Sequence, residues 1–539
     1  MAPTVIVNDV ADGDSRIGTE EASHRESLTI EEAVDRVVDK VTVKLALTLA
    51  AISLVIVPAP SGTYIAVFTG YIPYNDWECT SKKCFSLLDE AESRKDFYTQ
   101  KTMCDNDLVA GSDFEWTYNK QTFSMDWGFY CKNESKLSLV TSVLFIGTFL
   151  GLVCSTAIFD RIGRRRGAMM GSFLSMATFA ISSAANNYII LLFLRIIYGF
   201  GIIIVYTGAY CWIVELAPQR LRNMTSNMCT LAGWTTGVFA LIGLNYLIDK
   251  WQYVYLATAG MNALTIILFF VLPVPVSPRF SLIKGRKEEA LKTLKILAEM
   301  SDNKVPLDKV ELLYEERKQS YLEQIKDFRQ HPNMRRETLL GMSVWFMVAL
   351  FFYSYQFGWS KMGTELHGIY FFAALGEAIA FVIAVPLCRV LGRKKSLIFS
   401  FMSVVVMNAV AALDVRFSED WSLEHLASML GSIGAGTAFV LVYLYTGELA
   451  PTSHRGMILC LSSSSARIGS FVGPYVNLLY GVTDRRVPLA LFAGLSFLAS
   501  VVVWFLPDTT GRTVPETPGD VEVLAKMGNK GKDNKNEGA

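Results

Sequence analysis

The sequence contains little of the chemistry that enzymes and nucleotide-driven machines require. It has only five histidines in 539 residues, and none lies at the spacing of a metal-binding motif. No glycine-rich nucleotide-binding loop is present either. These absences argue against a membrane enzyme and against ATP-driven transport. We therefore expect a protein that is not an enzyme and that has no cofactor, metal or nucleotide.

Charge is also scarce, and the two signs balance. Charged residues make up 19% of the chain, 50 basic side chains match 50 acidic ones, and 51% of all residues are hydrophobic. The basic clusters are short and adjoin apolar runs, which argues against a nucleic-acid partner. The apolar runs are each about as long as a bilayer is thick. A lipid bilayer is therefore the expected surrounding of most of this chain.

Twelve segments are predicted to span the membrane. Their expected bounds are 45–72, 137–158, 167–186, 188–213, 227–248, 253–273, 338–358, 366–388, 396–414, 426–446, 457–480 and 488–506. Basic residues cluster between alternate spans, as at Arg164–Arg166 and Arg393–Lys395, and the intervening turns are almost bare of them. This asymmetry predicts that both termini, residues 1–44 and 508–539, are cytosolic. No cleavable signal is visible, and the pattern Thr29-x-x-Glu32 predicts a capped helix before the first span.

Two connections are long. Residues 74–136 are expected outside the cell, where disulfides form, and they contain an even number of cysteines, which allow three pairings: Cys79, Cys84, Cys104 and Cys131. The same loop carries a glycosylation sequon at Asn133. Residues 279–337 are expected to form a cytosolic helical linker. The linker divides the two halves of the chain.

Two motifs occur twice. The letters DRIGRR at Asp160–Arg165 match RVLGRK at Arg389–Lys394, and Glu215-Leu-Ala-Pro matches Glu448-Leu-Ala-Pro. The offsets are nearly equal, since 392 − 163 is 229 and 448 − 215 is 233. Repeats in register predict homologous halves, 45–278 and 338–507. The expected fold is an all-α membrane protein with twelve transmembrane helices in two pseudo-symmetric six-helix bundles.

These motifs resemble the major facilitator superfamily, and within it the organic cation, anion and carnitine transporters of solute carrier family 22. More specific similarities are PVSPRF at Pro275–Phe280, the stretch Val442–Thr452, and LPDTTG at Leu506–Gly511 followed by Pro515-Glu-Thr. The resemblance implies a carrier at the plasma membrane that works by alternating access. Its implied partners are a small organic ion as substrate, the bilayer, and a co-transported or exchanged ion.

The charged turns are candidate gate residues, because ion pairs there can close one face in one state and break in the other. Asp160 is expected to cap a helix N-terminus and to pair with arginines of neighbouring turns. Glu215 with Arg222 and Glu448 with Arg455 give each half an equivalent acid and base. Arg389 stands where the first half has Asp160, so the two gates are expected to differ electrostatically. The alternative is that the basic residues only reflect the positive-inside rule and have no gating role. The full candidate set is Asp160, Arg161, Arg164, Arg165, Glu215, Arg222, Glu448, Arg455 and Arg393.

Ionisable residues within spans are costly in lipid unless they face a cavity or a partner. Arg195 is either a structural donor to neighbouring backbones or a coupling residue. Glu377 either neutralises a cationic substrate or pairs with a basic residue of the protein. Arg467, flanked by small residues, is suited to bind a carboxylate bidentately, and the alternative is a pair with Glu377.

The resemblance sharpens the interpretation of Arg467, because this position is typically basic in the anion and carnitine carriers of the family. A second basic residue that is frequent in anion carriers is replaced here by Phe381. The aromatic residues Trp345, Tyr353 and Tyr355 are candidates for holding a quaternary ammonium by cation–π contact, and the alternative is a role as lipid-facing anchors.

The leading functional hypothesis is alternating-access transport of a carnitine-like zwitterion or a monovalent organic anion. The first alternative is an organic cation transporter that uses Glu377. A second, of another class, is a non-transporting receptor or vesicle glycoprotein with the carrier fold. A sugar porter is the nearest alternative among transporters, but the seventh span lacks the glutamine-rich face expected for a polyol site.

Overall fold

The computed structural model describes residues 26–40, 42–73, 77–79, 114–219, 222–271, 274–303, 305, 310–313, 321–361, 366–413, 423–484, 486–511 and 514–524. Helices dominate this part of the chain. The four short strands are β1 Glu26–Thr29, β2 Trp77–Cys79, β3 Phe114–Trp116 and β4 Val310–Leu313. The strand β1 pairs in parallel with β4, and β2 pairs antiparallel with β3.

The first half of the chain forms one helical bundle, preceded by a short helix. The helices are α1 Ile30–Val37, α2 Val43–Leu54, α3 Pro58–Thr69, α4 Phe123–Trp127, α5 Glu134–Ile162, α6 Arg164–Ser183, α7 Tyr188–Leu216, α8 Arg222–Leu247 and α9 Trp251–Val271. The helices α2 and α3 together make the first span, since Val43–Thr69 is long and apolar enough to cross a membrane. We call this group, α2 to α9, the N bundle.

The linker and the second half follow. The linker helices are α10 Pro278–Ile283, α11 Lys287–Met300 and α12 Tyr321–Gln330. The second group, α13 to α19, is the C bundle: α13 Pro332–Gly358, α14 Leu366–Leu391, α15 Arg393–Ala411, α16 Leu423–Leu449, α17 Arg455–Val476, α18 Leu479–Val482 and α19 Arg486–Trp504. Helices occupy all twelve predicted spans, and their ends lie within about six residues of the predicted bounds.

Nine helical stretches in the described part of the chain are long and apolar enough to span a membrane. The helices α6, α8 and α17 are the other three predicted spans, and each has a polar stretch. Three arginines begin α6, and α17 contains four consecutive serines and Arg467. These residues lower the mean hydropathy without preventing the helix from packing inside a bundle.

The sequence repeat is also a repeat of packing. A Cβ placed on Gly147 of α5 would lie 2.0 Å from the carbonyl oxygen of Ile196, and one on Gly376 of α14 would lie 2.2 Å from that of Met429. The two glycines and the two carbonyls are separated by the same offsets, 229 and 233 residues, as the sequence motifs. Each bundle therefore contains the same glycine-dependent helix crossing.

This crossing makes a stability prediction. Gly376→Ala inserts a methyl group against backbone that cannot move aside, so we expect it to lower stability by about 1–3 kcal/mol. Gly260→Ala is the matched control, because nothing lies within 4 Å of a Cβ there and alanine favours a helix. The thermal unfolding midpoint of detergent-solubilised protein should fall for the first variant and stay level or rise for the second. Equal midpoints for both variants would contradict the crossing.

The bundles meet along two helix pairs, α5 with α17 and α8 with α14. The end of the molecule that carries residues 114–133 is called the loop face, and the end that carries α1, α11 and α12 is called the linker face. On the loop face, Lys120 donates to the carbonyls of Asn245 and Tyr246 at 2.8 and 2.9 Å. This bond caps the end of α8, so the described part of the outer loop is attached to the N bundle.

The linker face is divided between the bundles. The predicted capping box is confirmed: Glu32 accepts from the backbone of Thr29, a bond that lowers the pKa of that carboxyl, and Thr29 caps α1 in return. The helix α1 packs against α11, and Glu31 pairs with Arg279 at 3.4 Å. On the other side, His454 before α17 lies 3.5 Å from Asp327 of α12. The first part of the linker is thus held by α1, whereas its last helix contacts the start of a C-bundle helix.

Candidate functional site

Glu377 lies near the middle of α14 and is almost completely buried. Both of its carboxylate oxygens accept hydrogen bonds. The Tyr64 hydroxyl donates to Oε1 at 3.2 Å, the Gln356 amide also donates to Oε1, and Trp234 Nε1 donates to Oε2 at 2.9 Å. All three donors are neutral. In the described residues Glu377 makes no ion pair, so the predicted pair with a basic side chain is not formed.

Arg467 of α17 is the basic group of the same region. It lies beside the hydroxyl of Tyr353 and close to Tyr206 of the N bundle. Its Nε is buried and has no hydrogen-bond partner in the described part of the protein. Tyr353 is also close to Glu377, so this tyrosine lies near both the acid and the base. Among the described residues, the guanidinium has no carboxylate partner.

A continuous series of aromatic rings joins these charged groups across the bundle interface. Neighbouring ring centres lie 4.3–6.5 Å apart, with mostly tilted or edge-on geometry, which aromatic pairs prefer. In order, the contacts are Tyr206–Trp234, Trp234–Tyr64, Tyr64–Phe357, Phe357–Tyr353, Tyr353–Phe439, Phe439–Tyr443 and Tyr443–Trp345. The region combines apolar rings with one acidic and one basic group, which is the composition typical of small-molecule sites.

The three aromatic candidates from the sequence lie in different places. Tyr353 lies near both Glu377 and Arg467, as a binding role requires. Trp345 donates to the Thr446 hydroxyl at 2.8 Å at the end of the aromatic series. Tyr355 donates to the carbonyl of Ala427 at 2.8 Å and contacts Trp359. Its contacts are therefore within the C bundle. Of the three, only Tyr353 is brought next to both charges.

Sequence reasoning did not identify Tyr64, Gln356 or Trp234 as site residues. No charge or repeat marks these positions. Their role depends on four helices, α3, α8, α13 and α14, that meet only in the folded protein. A search of the sequence for ionisable residues in spans does not find neutral hydrogen-bond donors.

Arg195 of α7 holds helices together. Its Nη1 donates to the carbonyl of Gly62 at 2.7 Å and its Nε to that of Val140 at 3.2 Å. These carbonyls belong to α3 and α5. The geometry matches the structural alternative for Arg195, a buried donor to neighbouring backbones.

An equivalent ion pair lies at the linker face of each bundle. Arg164 Nη2 lies 2.9 Å from Glu215 in the N bundle, and Arg393 Nε lies 3.1 Å from Glu448 in the C bundle. Both pairs join the two repeated motifs at their conserved offsets. The expectation of electrostatically different gates does not hold for these pairs, because neither Asp160 nor Arg389 is part of them.

The remaining gate candidates have other surroundings. Asp160 is exposed in the last turn of α5, makes no described ion pair, and does not cap α6, so the expected N-terminal cap is wrong. Arg161 is also exposed, and Arg165 stacks on Phe269. Arg222 and Arg455 each have a buried Nε without a described partner. Arg164 and Arg393, rather than Arg222 and Arg455, therefore pair with the two glutamates.

The loop-face half of the interface carries contacts that cross between bundles. Glu134 of α5 pairs with Lys361, which follows α13, and both side chains are mostly buried. Ser138 donates to the carbonyl of Pro474 at 3.1 Å. His367 contacts the Asn245 side chain at 2.9 Å. We call the first of these, Glu134 with Lys361, the outer pair.

Two predicted modifications lie beside the outer pair. Cys131 is disulfide-bonded, whereas Cys84 and Cys104 lie outside the described residues, so the pairing stays a prediction. Four cysteines of the described helices are free: Cys154, Cys211, Cys388 and Cys460. Asn133 is exposed at the start of α5, and its glycosylation stays a prediction.

Comparison with known proteins decides the family. The family model described as "Sugar (and other) transporter" matches residues 64–362 and 348–536. The chain belongs to this family. It is therefore a transporter-family protein of the major facilitator superfamily, as its fold and repeats predicted, and not an enzyme.

Curated relatives of this transporter include members of solute carrier family 22. It is 27% identical over 417 residues to human organic cation/carnitine transporter 2, covering 76% of this chain and 73% of the relative. It is 27% identical over 460 residues to rat solute carrier family 22 member 2, covering 84% and 79%. The sequence-based recognition of this family is confirmed.

Solved structures support the same fold. The inward-open xylose transporter XylE from E. coli superposes with a TM-score of 0.57 at 16% identity, covering 89% of this chain and 99% of that one. The partially occluded inward-open form gives a TM-score of 0.55. The transporter has the twelve-helix architecture of the superfamily.

Proposed function

We propose that the protein carries small organic ions bearing one anionic group, either zwitterions or monovalent anions, by alternating access. One observation supports this proposal above the others: Arg467 faces the aromatic region with an unpartnered buried Nε, while Glu377 is occupied by neutral donors. A guanidinium in such a place is suited to bind a carboxylate through two parallel hydrogen bonds. The site is exposed to each side in turn as the bundles rock about it.

The setting of this function is also proposed. The positive-inside pattern supports a cytosolic linker face, and the Cys-containing loop supports a plasma membrane location with that loop outside. The printed name of one relative, organic cation/carnitine transporter 2, is compatible with a zwitterionic substrate. We also propose that a second ion is co-transported with the substrate or exchanged for it.

The test is uptake of three labelled probes in one expression system: benzoate, the zwitterion trimethylglycine, and tetraethylammonium. We expect saturable uptake of at least one of the first two above that of mock-transfected cells. The measurement is repeated without Na⁺ and at two pH values, which identifies a coupled ion. Uptake of tetraethylammonium alone would contradict the proposal and favour the organic cation alternative. No uptake of any probe, with ligand binding retained, would favour a receptor.

A further inference from the structure

The hydrogen bonds to Glu377 come from both bundles. Tyr64 of α3 and Trp234 of α8 belong to the N bundle, whereas Gln356 of α13 belongs to the C bundle together with Glu377 itself. The two N-bundle donors occupy different carboxylate oxygens. Every oxygen of Glu377 that a substrate cation would need is therefore bonded to a donor on the opposite bundle.

These donors change what Glu377 can bind. A bond between a neutral donor and an ionised carboxylate is charge-assisted and stronger than an ordinary one. A cationic substrate group at Glu377 competes with Tyr64 and Trp234 for these oxygens, and Tyr64 is buried, where a displaced donor lacks a substitute partner. The neutral group beside Arg467, the Tyr353 hydroxyl, belongs to the same bundle as Arg467, and the Arg467 Nε has no partner in the described residues. In this structure Glu377 is therefore less available than Arg467 to a charged group of a substrate.

The position of the bonds connects this selection to the transport cycle. Tyr64 lies in the loop-face half of the first span, and Glu377 lies eleven residues from the loop-face end of α14. Separation of the bundles at the loop face would pull α3 and α8 away from α14 and break both bonds. They re-form only when the loop face closes, so a cation held at Glu377 must leave the carboxylate before this closed state is reached.

We propose that Tyr64 and Trp234 are specificity-determining positioning residues, which exclude organic cations by occupying Glu377 from the opposite bundle. The inference rests on the proposed function, because it explains why a site that contains an acid would favour an anionic group. Tyr64 and Trp234 contact Glu377 and act through it, and they do not contact the anionic group of the substrate.

The test compares Tyr64→Phe and Trp234→Phe with the unchanged protein, using the ratio of tetraethylammonium to benzoate uptake per molecule at the cell surface. Each substitution keeps an aromatic ring and removes one donor. We expect each substitution to raise the ratio about tenfold. Each leaves one Glu377 oxygen without its donor, and a cation can take the place of that donor. In a Glu377→Gln background the same substitutions should change the ratio less than twofold.

Matched controls separate selectivity from stability. Tyr198→Phe removes a hydroxyl that donates to the carbonyls of Pro58 and Ala59, and Trp212→Phe removes a donor to Pro275. Neither donor touches Glu377, so both controls should leave the ratio unchanged whatever they do to surface expression. Because the ratio is measured per surface molecule, reduced folding of a variant does not imitate the effect.

The outcomes distinguish the two proposals. If the unchanged protein carries benzoate but Tyr64→Phe and Trp234→Phe leave the ratio within twofold, the inference is wrong and the proposed function stands. A shift that persists undiminished with Glu377→Gln also overturns the inference. If the unchanged protein carries only tetraethylammonium, the proposed function fails, and the inference fails with it because cations were not excluded.

Discussion

Replacing Arg467 with alanine is expected to reduce uptake of the anionic or zwitterionic substrate by about thirtyfold or more. The guanidinium lies in a partly buried aromatic region and has no carboxylate partner among the described residues. A bidentate, charge-assisted contact in such surroundings contributes roughly 2–3 kcal/mol, and each 1.4 kcal/mol corresponds to a factor of ten. Initial uptake rates per surface molecule, measured over a range of substrate concentrations, provide the check.

Two further variants sharpen this prediction. Arg467→Lys keeps the charge but loses the planar fork, so it should retain part of the uptake. Arg329→Ala removes an exposed arginine of α12 and should transport normally. Normal uptake by Arg467→Ala at equal surface level would remove Arg467 from the binding site.

Reversing one charge of the outer pair is expected to produce the second large effect. Glu134→Lys places an ammonium against Lys361, where both native side chains are mostly buried, and breaking such a pair typically costs about 3–5 kcal/mol. The loop face should then close poorly. We expect uptake to fall about tenfold or more because the carrier cannot complete its cycle.

The charge-reversed double variant Glu134→Lys with Lys361→Glu is the control for this effect. It restores opposite charges across the interface and should recover uptake to within about threefold of the unchanged protein. A cysteine introduced at Ser138, which lies at the bundle crossing, should react faster with a membrane-impermeant maleimide in Glu134→Lys than in the double variant. Equal uptake by the single and double variants would mean that the pair does not hold the loop face closed.

Much of the fold could be predicted because it depends on local and repeated signals. Apolar length located the spans, and the two motifs that recur at offsets of 229 and 233 residues predicted the paired bundles. Gly147 and Gly376 follow the first offset, so the same repeat also determines where helices cross. These features require no knowledge of distant contacts.

The candidate site could be predicted only in part. Arg467 and Glu377 stand out because a charge in a span is rare and costly. The donors around Glu377 do not stand out, since Tyr64 and Trp234 resemble any other membrane aromatic until three helices bring them to one carboxylate. The ion partners of Glu215 and Glu448 were also missed, because Arg222 and Arg455 are nearer in sequence than Arg164 and Arg393 but not in space.

The most direct test of the account uses purified protein in liposomes loaded with unlabelled trimethylglycine. Counterflow of labelled trimethylglycine is measured for the unchanged protein and for Arg467→Ala, against liposomes without protein. The account predicts a transient, saturable accumulation of label that Arg467→Ala abolishes. If Arg467→Ala accumulates label as the unchanged protein does, or if only tetraethylammonium shows counterflow, the central claim is contradicted.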